Sequence, residues 1–236
     1  MSNNPYGLLC PITRACEILE PRWTIPILSE ILSGSTRFNE IRRSVGNISP
    51  GVLSKRLSEM ESSGLIERVE DRATGVVDYI RTEKAISLKP ALNAMAVWAQ
   101  QNIDAEIALA DTAITPLMWA VRKVIRVDEL PHKRSVVRFH FSNAKSDFDT
   151  YWLLAQRGGL PEMCTNDPGL DVDLYIETTV EAFGGILMGR TKMEQETERG
   201  TFFLSGDARL VRTIGQWLPI SPHAHVDGIR QLASIR

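Results

Sequence analysis

Cysteine, histidine and net basic charge are all scarce in this chain. It carries three cysteines and four histidines in 236 residues, and its formal charge at pH 7 is −2. Cys10, Cys16 and Cys164 form an odd set without metal-ligand spacing, which speaks against a disulfide framework and against structural zinc. His223 and His225 flank Ala224 in a proline-containing stretch and read as surface residues. No metal or other cofactor is expected. A Gly-x-Ser-x-Gly elbow and a phosphate-binding glycine loop are also missing, so no catalytic residue is assigned and the chain reads as a non-enzyme. No apolar run approaches the roughly 18 residues that cross a bilayer, and no membrane is expected as a partner. The opening MSNNPYGLLCPITRACEILE has no basic segment followed by an apolar core, so the cytoplasm is the expected compartment. With 43% hydrophobic and 24% charged residues, the chain can bury two modest cores.

What is present is an ordered set of signals over residues 36–77. Phe38, Ile41 and Val45 recur at helical spacing and predict the inner face of a short helix. A turn follows at Gly46-Asn47, then Ser49 as an N-cap and Pro50 in the first turn of a second helix. Val52, Leu53, Leu57 and Met60 are expected on its buried side, and Gly64 closes it. Two alternating segments, 65–69 and 76–80, flank a polar turn at 72–75 and predict a pair of strands. A helix-turn-helix followed by a two-stranded wing is the result.

The residues left outside suggest a duplex as partner. Between positions 36 and 56, the cations Arg37, Arg42, Arg43, Lys55 and Arg56 face the single acid Glu40. That local excess is the footprint of a nucleic-acid binder even in a slightly acidic chain. Ser49, Pro50, Gly51, Ser54, Lys55, Arg56 and Ser58 are the expected contacts of the second helix, where small polar side chains reach base edges. Arg37, Arg42 and Arg43 are placed against phosphates, and Arg68 and Arg72 put charge on the wing. A further helix is expected over 87–109, with Leu88, Leu92, Met95, Trp98, Ala99 and Ile103 in a stripe. This stripe fits a homodimer reading a palindromic double-stranded DNA site, or else packing within one chain.

Cys10-Pro11, Arg22-Trp23-Thr24, Ile27-Leu28, Arg37-Phe38, Ile41-Arg42-Arg43, Ile48-Ser49, Leu53, Arg56-Leu57 and Gly64-Leu65-Ile66 together resemble the HxlR-type winged-helix regulators of bacteria. The resemblance runs from Cys10 to about Gln100 and implies a DNA-binding transcriptional regulator, with repression the expected mode. It places Trp23 in the core just inside the second helix. Arg81-Thr82-Glu83-Lys84-Ala85-Ile86 departs from the family's usual Leu-Thr-Glu-Lys-Gly. Several members of that family sense thiol-reactive compounds through the cysteine aligned with Cys10, which makes a redox sensor one alternative function. A cysteine near a helix N-terminus has the chemistry for it.

The second half changes texture. Segments 136–141, 149–155, 172–178 and 201–204 read as strands, and helices are expected over 114–125, 179–188 and 208–217. The fold class is α+β, with a winged-helix domain and dimer helix over residues 1–110 and a mixed sheet covered by helices over 111–236. DVDLYIETTVEAFGGILMG and GTFFLSGDARLVRTIGQWL resemble the later part of a sterol-carrier-protein fold, with the Gly206-Asp207 step as its sharpest feature. That resemblance implies a tunnel for an apolar small-molecule effector. Trp119, Trp152, Phe183, Leu187, Met188 and Phe202 are the candidate lining, and the same residues would serve equally as core. Arg138, His140 and Cys164 are candidate polar groups facing it. Gly184-Gly185 inside a helix costs about 1 kcal/mol per glycine relative to alanine, which predicts the close approach of a strand or a ligand. A second alternative function is a lipid- or metabolite-binding module whose winged helix does not bind DNA.

Overall fold

The computed structural model describes residues 6–145 and 148–233. By internal contacts the chain forms two units, one ending at Leu92 and the next starting at Asn93.

The first unit opens with α1 (Pro11–Leu19), α2 (Thr24–Leu32), α3 (Phe38–Val45) and α4 (Pro50–Ser62). Strands β1 (Ile66–Glu70) and β2 (Val77–Arg81) pair antiparallel, and α5 (Glu83–Ile86) follows. Its core gathers Ile27, Leu28 and Ile31 of α2, Ile41 of α3, and Leu53, Leu57 and Met60 of α4 around Leu65 and Ile66. Trp23 packs half-buried against that core, yet it is the N-cap of α2 rather than a residue inside the helix. It sits there in the left-handed region at φ 82°, with the Arg22 guanidinium 5.3 Å over its ring.

The stripe expected over 87–109 is not one helix. α6 (Lys89–Asn102) ends before Asp104, whose extended backbone at ψ 146° starts the short α7 (Ala105–Leu109). The boundary between units falls inside α6, earlier than the division expected at residue 110. The reason is contact with residues far along the chain. Gln100 Nε2 donates to the Met188 and His223 carbonyls, and the Arg190 guanidinium donates to those of Ala99 and Ile103.

Beyond α7 come α8 (Ile114–Val124), β3 (Arg134–Phe141), β4 (Thr150–Gln156), β5 (Glu162–Cys164) and β6 (Leu174–Thr178). Then follow α9 (Val180–Met188), α10 (Met193–Glu198), β7 (Phe202–Gly206), α11 (Ala208–Arg212) and α12 (Ile214–Trp217). The sheet order is β5-β4-β3-β6-β7, parallel only between β3 and β6. Val137, Phe139, Phe141, Tyr151, Leu153 and Ile176 face α8, α9, α11 and α12 across one apolar layer. The ring of Phe183 meets those of Phe139 and Phe141 edge-on at 5.6 Å. Helix 208–217 is broken at Thr213, and β5 and α10 have no counterpart in the sequence reading.

Gly184 and Gly185 face a helix residue, Leu109 of α7, rather than a strand or a ligand. A Cβ on Gly185 would stand 2.9 Å from Thr191 Cγ2 and 3.4 Å from Leu109 Cδ1. Gly206 has φ 136° and lies against the Asp173 carbonyl, where no side chain fits. Asp207 then caps α11 by accepting from the Arg209 and Leu210 amides. Asp173 in turn accepts from the Val136 amide at 2.7 Å.

Candidate nucleic-acid interface

The second helix of the helix-turn-helix is set by its cap. Ser49 Oγ accepts from the Val52 amide at 3.3 Å, Pro50 fills the first position, and Ile48 before them is buried. This anchors α4 through Leu53, Leu57 and Met60 and turns Ser49, Pro50, Gly51, Ser54, Lys55 and Ser58 outward, all exposed. Val52 departs from the expected buried side: it is 38% exposed, while Leu53 beside it is fully buried. A helix stripe is about two residues wide, and Val52 falls on its flank.

The cations divide into paired and exposed groups. Arg37 Nε lies 2.8 Å from Asp78 of β2. Arg56 is paired with Glu59 one turn on, is only partly exposed, and keeps its Nε buried without a hydrogen-bond partner. That makes Arg56 an inward-leaning side chain rather than one directed off the outer face of α4. Arg68 is joined to Glu70 at 2.9 Å on the same strand, and the contact raises its pKa. Arg42 and Lys55 are exposed, as is Arg72 at the wing tip, and none of the three makes an ion pair among the described residues. Arg43, next to Arg42 in the last turn of α3, is exposed too.

The wing is tied to the helices by main chain as well as by charge. The Tyr79 amide of β2 donates to the Thr36 carbonyl at 2.9 Å, just before α3. At the tip, Asp71 Oδ1 accepts from the Ala73 and Thr74 amides, and these bonds hold its carboxyl below the usual carboxylate range, the Ala73 amide contributing most. A groove of about 1010 Å³ runs between α1 and α4, lined by Tyr6, Glu17 and Glu20 on one side and Lys55, Arg56 and Glu59 on the other.

Cys10 stands at the N-cap of α1 and is exposed. The Thr13 amide, then the Ile12 amide and the Thr13 hydroxyl, lower its thiol pKa below the ordinary value. Cys16 is half-buried on the same helix.

The residues assigned to an effector pocket do not come together as one lining. Phe183, Leu187 and Phe202 belong to the packed apolar layer. Trp152 lies on the opposite face of β4, Met188 is 38% exposed, and Trp119 carries the Arg122 guanidinium 5.2 Å over its ring. Arg138 and His140 share that opposite face of the sheet, both bonded to Glu177, and Cys164 pairs with Trp152 across the strands. Within the apolar layer two polar atoms stand out: Tyr151 hydroxyl with Thr115 at 2.9 Å, and Ser135 Oγ, fully buried without a partner. Among the described residues no helix is long and apolar enough to cross a membrane.

A model of HxlR-like helix-turn-helix proteins matches residues 18–107. The uncharacterized HTH-type transcriptional regulator YvaP of Bacillus subtilis (strain 168) is 39% identical over 98 residues, covering 41% of this chain and 91% of that protein. The HTH-type transcriptional regulator YodB of the same strain is 35% identical over 95 residues, covering 39% of this chain and 85% of YodB. The solved reduced form of YodB from B. subtilis shares 34% identity, covers 41% of this chain and 96% of that one, and superposes with a TM-score of 0.37.

Proposed function

The chain belongs to the HxlR-like helix-turn-helix family, and from that premise we propose a repressor that reads a palindromic operator as a homodimer and answers to an apolar effector held by its second unit. The observation that carries the DNA-reading part is the outer end of α4. There Ser49, Gly51, Ser54 and Lys55 stand exposed behind a fixed cap, with Arg42 and Arg43 exposed at the end of α3. Small polar groups and one cation at the N-terminal end of a helix suit base edges, and the arginines suit phosphates.

Dimerisation is supported by apolar side chains that a lone chain leaves in water. Leu9 is 93% and Ile12 75% exposed, and on α6 Trp98 is 60% exposed. For the effector, support comes from the one-sided helical cover of a five-stranded sheet, which resembles a sterol-carrier-protein arrangement, and from Ser135 Oγ. A buried hydroxyl without a partner inside an apolar layer can take a polar group of a largely apolar molecule. Coupling to DNA would run through α6, in which the two units meet along the chain, and requires the effector to prefer one dimer arrangement. Operator binding places the protein in the cytoplasm.

The test is a triple replacement, Arg42, Arg43 and Lys55 to alanine, with duplex affinity followed against salt. Each lost phosphate contact should reduce the slope of log K against log salt by about 0.9, so a fall of about 2 to 3 is expected. Unchanged affinity and slope would remove the DNA-contact assignment and favour a ligand-binding module with a winged helix used for protein contacts. A second reading, a thiol sensor, is favoured by the exposed Cys10 with its lowered pKa. Under that reading a Cys10→Ser variant keeps operator binding in the presence of an oxidant that releases the parent.

A further inference from the structure

Val52 is out of character on the outer end of α4. Its neighbours there, Ser49, Ser54, Lys55 and Ser58, are polar, whereas Val52 presents two methyl groups at 38% exposure. Its position is well defined. The Val52 amide is held by Ser49 Oγ, and a β-branched side chain in a helix keeps essentially one χ1 rotamer, so the methyl groups point in a fixed direction.

Gly51 next to it has no internal reason to be glycine. Its backbone is helical rather than left-handed, and a Cβ built there meets no atom within 4 Å. A helical glycine is nevertheless unfavourable relative to alanine. The vacancy becomes intelligible if something from outside the chain must come close. Charge at the same end selects the visitor, since Arg42 and Lys55 are exposed cations without an ion pair among the described residues.

We infer that Val52 reads thymine. Its methyl groups meet the C5-methyl of a thymine in the major groove, and the missing side chain of Gly51 lets the end of α4 approach the base edges. Thymine is the base that offers an apolar group on the major-groove edge, while the serines and Lys55 are suited to donors and acceptors. The inference rests on the DNA-binding reading of α4 given above and adds to it a base preference and the residue that sets it.

The full-length protein is used to select its preferred duplex from a pool with a randomised segment. Each thymine of the selected site is then replaced singly by deoxyuridine, which lacks only the C5-methyl, and affinities are measured for the parent and for Val52→Ala. At one or more positions the parent should lose about fourfold, the factor carried by burying one methyl group. The same replacement should leave the affinity of Val52→Ala unchanged. A penalty that persists in Val52→Ala, or no penalised thymine at all, overturns the assignment while DNA binding stands. A parent that selects no duplex overturns the DNA-binding reading itself and this inference with it. Val52 lies outside the packed core, so the variant should melt with the parent, which a thermal scan checks.

Discussion

Arg37 Nε lies 2.8 Å from a carboxylate oxygen of Asp78, joining the residue that opens α3 to strand β2 of the wing. Both side chains are partly in water, so the pair contributes less than about 1 kcal/mol to stability. Its larger effect is on charge. The carboxylate cancels a cation on the face proposed to meet phosphates, beside a wing that also carries Glu67, Glu70 and Asp71.

Asp78→Asn therefore separates the two effects. The neutral amide can still accept a bond from Arg37, so the melting temperature should move little. DNA affinity should rise at low salt, and the slope of log K against log salt should steepen by about 0.9 if Arg37 then takes a phosphate. A weaker complex with an unchanged slope would assign Arg37 to holding the wing alone.

Gly51→Ala sets stability against binding. Helix propensity favours alanine by up to about 1 kcal/mol, and the new methyl has open space within the protein. The variant should unfold at slightly higher urea. If the duplex comes as close to α4 as proposed, the same variant should bind DNA more weakly. Equal affinity with increased stability would show that Gly51 lies away from the duplex.

Much of the first unit was legible because its signals are local. The cap at Ser49, the stripe Leu53, Leu57 and Met60, and the two strands around a polar turn lie within a few residues of what they determine. The misses were set by distant partners. Strand β5 is three residues without alternation and exists through its pairing with β4. Helix α10 is almost wholly polar. It holds the buried Glu196, whose carboxylate accepts from the Thr191 and Thr201 hydroxyls and from Arg199, an arrangement that no spacing within MEQETE reveals. The cations of the candidate interface were legible in composition but their pairing was not. Nothing in the sequence places Arg37 against Asp78, and the exposure of Val52 depends on where the flank of a helix stripe falls.

Arg190 illustrates how the end of α6 is fixed. It is 3% exposed and its guanidinium donates to the Ile103 carbonyl at 2.8 Å and to those of Ala99 and Arg230 at 3.2 Å. Burial lowers its pKa, opposed by Asp104 and Glu106. Arg190→Met keeps much of the volume but takes the guanidinium donors from the Ile103, Arg230 and Ala99 carbonyls, of which Ala99 alone keeps another, the Ile103 amide. An acceptor left unmet away from water costs about 1–3 kcal/mol. Urea unfolding of the full chain should show a loss of about 2–4 kcal/mol in the transition of the second unit. Arg190→Lys should recover little of it, because an ammonium lacks the planar fork that reaches separate carbonyls. Full recovery by lysine would mean that charge, not geometry, is what the site requires.

Cys10 gives a prediction in pH. Amide donors from Thr13 and Ile12 favour its thiolate, so its folded-state pKa lies below that of an ordinary cysteine. A lowered acid pKa means that the charged form appears at lower pH in the folded chain, and whatever stability it brings is present above the unfolded pKa and fades as pH falls through the folded one. In a protein with Cys16 and Cys164 changed to serine, the rate of iodoacetamide alkylation followed against pH should therefore have its midpoint below the roughly 8.5 of a free cysteine. The midpoint, rather than the rate at one pH, is the quantity to read, because a more acidic thiol gives a less nucleophilic thiolate. Thr13→Pro removes the dominant amide donor and the hydroxyl together at a first-turn position that tolerates proline. Its midpoint should move back up toward the free value. A midpoint that stays low in Thr13→Pro would assign the shift to the remaining Ile12 amide and the α1 dipole, and a parent midpoint at or above 8.5 would take the chemical basis from the thiol-sensor reading.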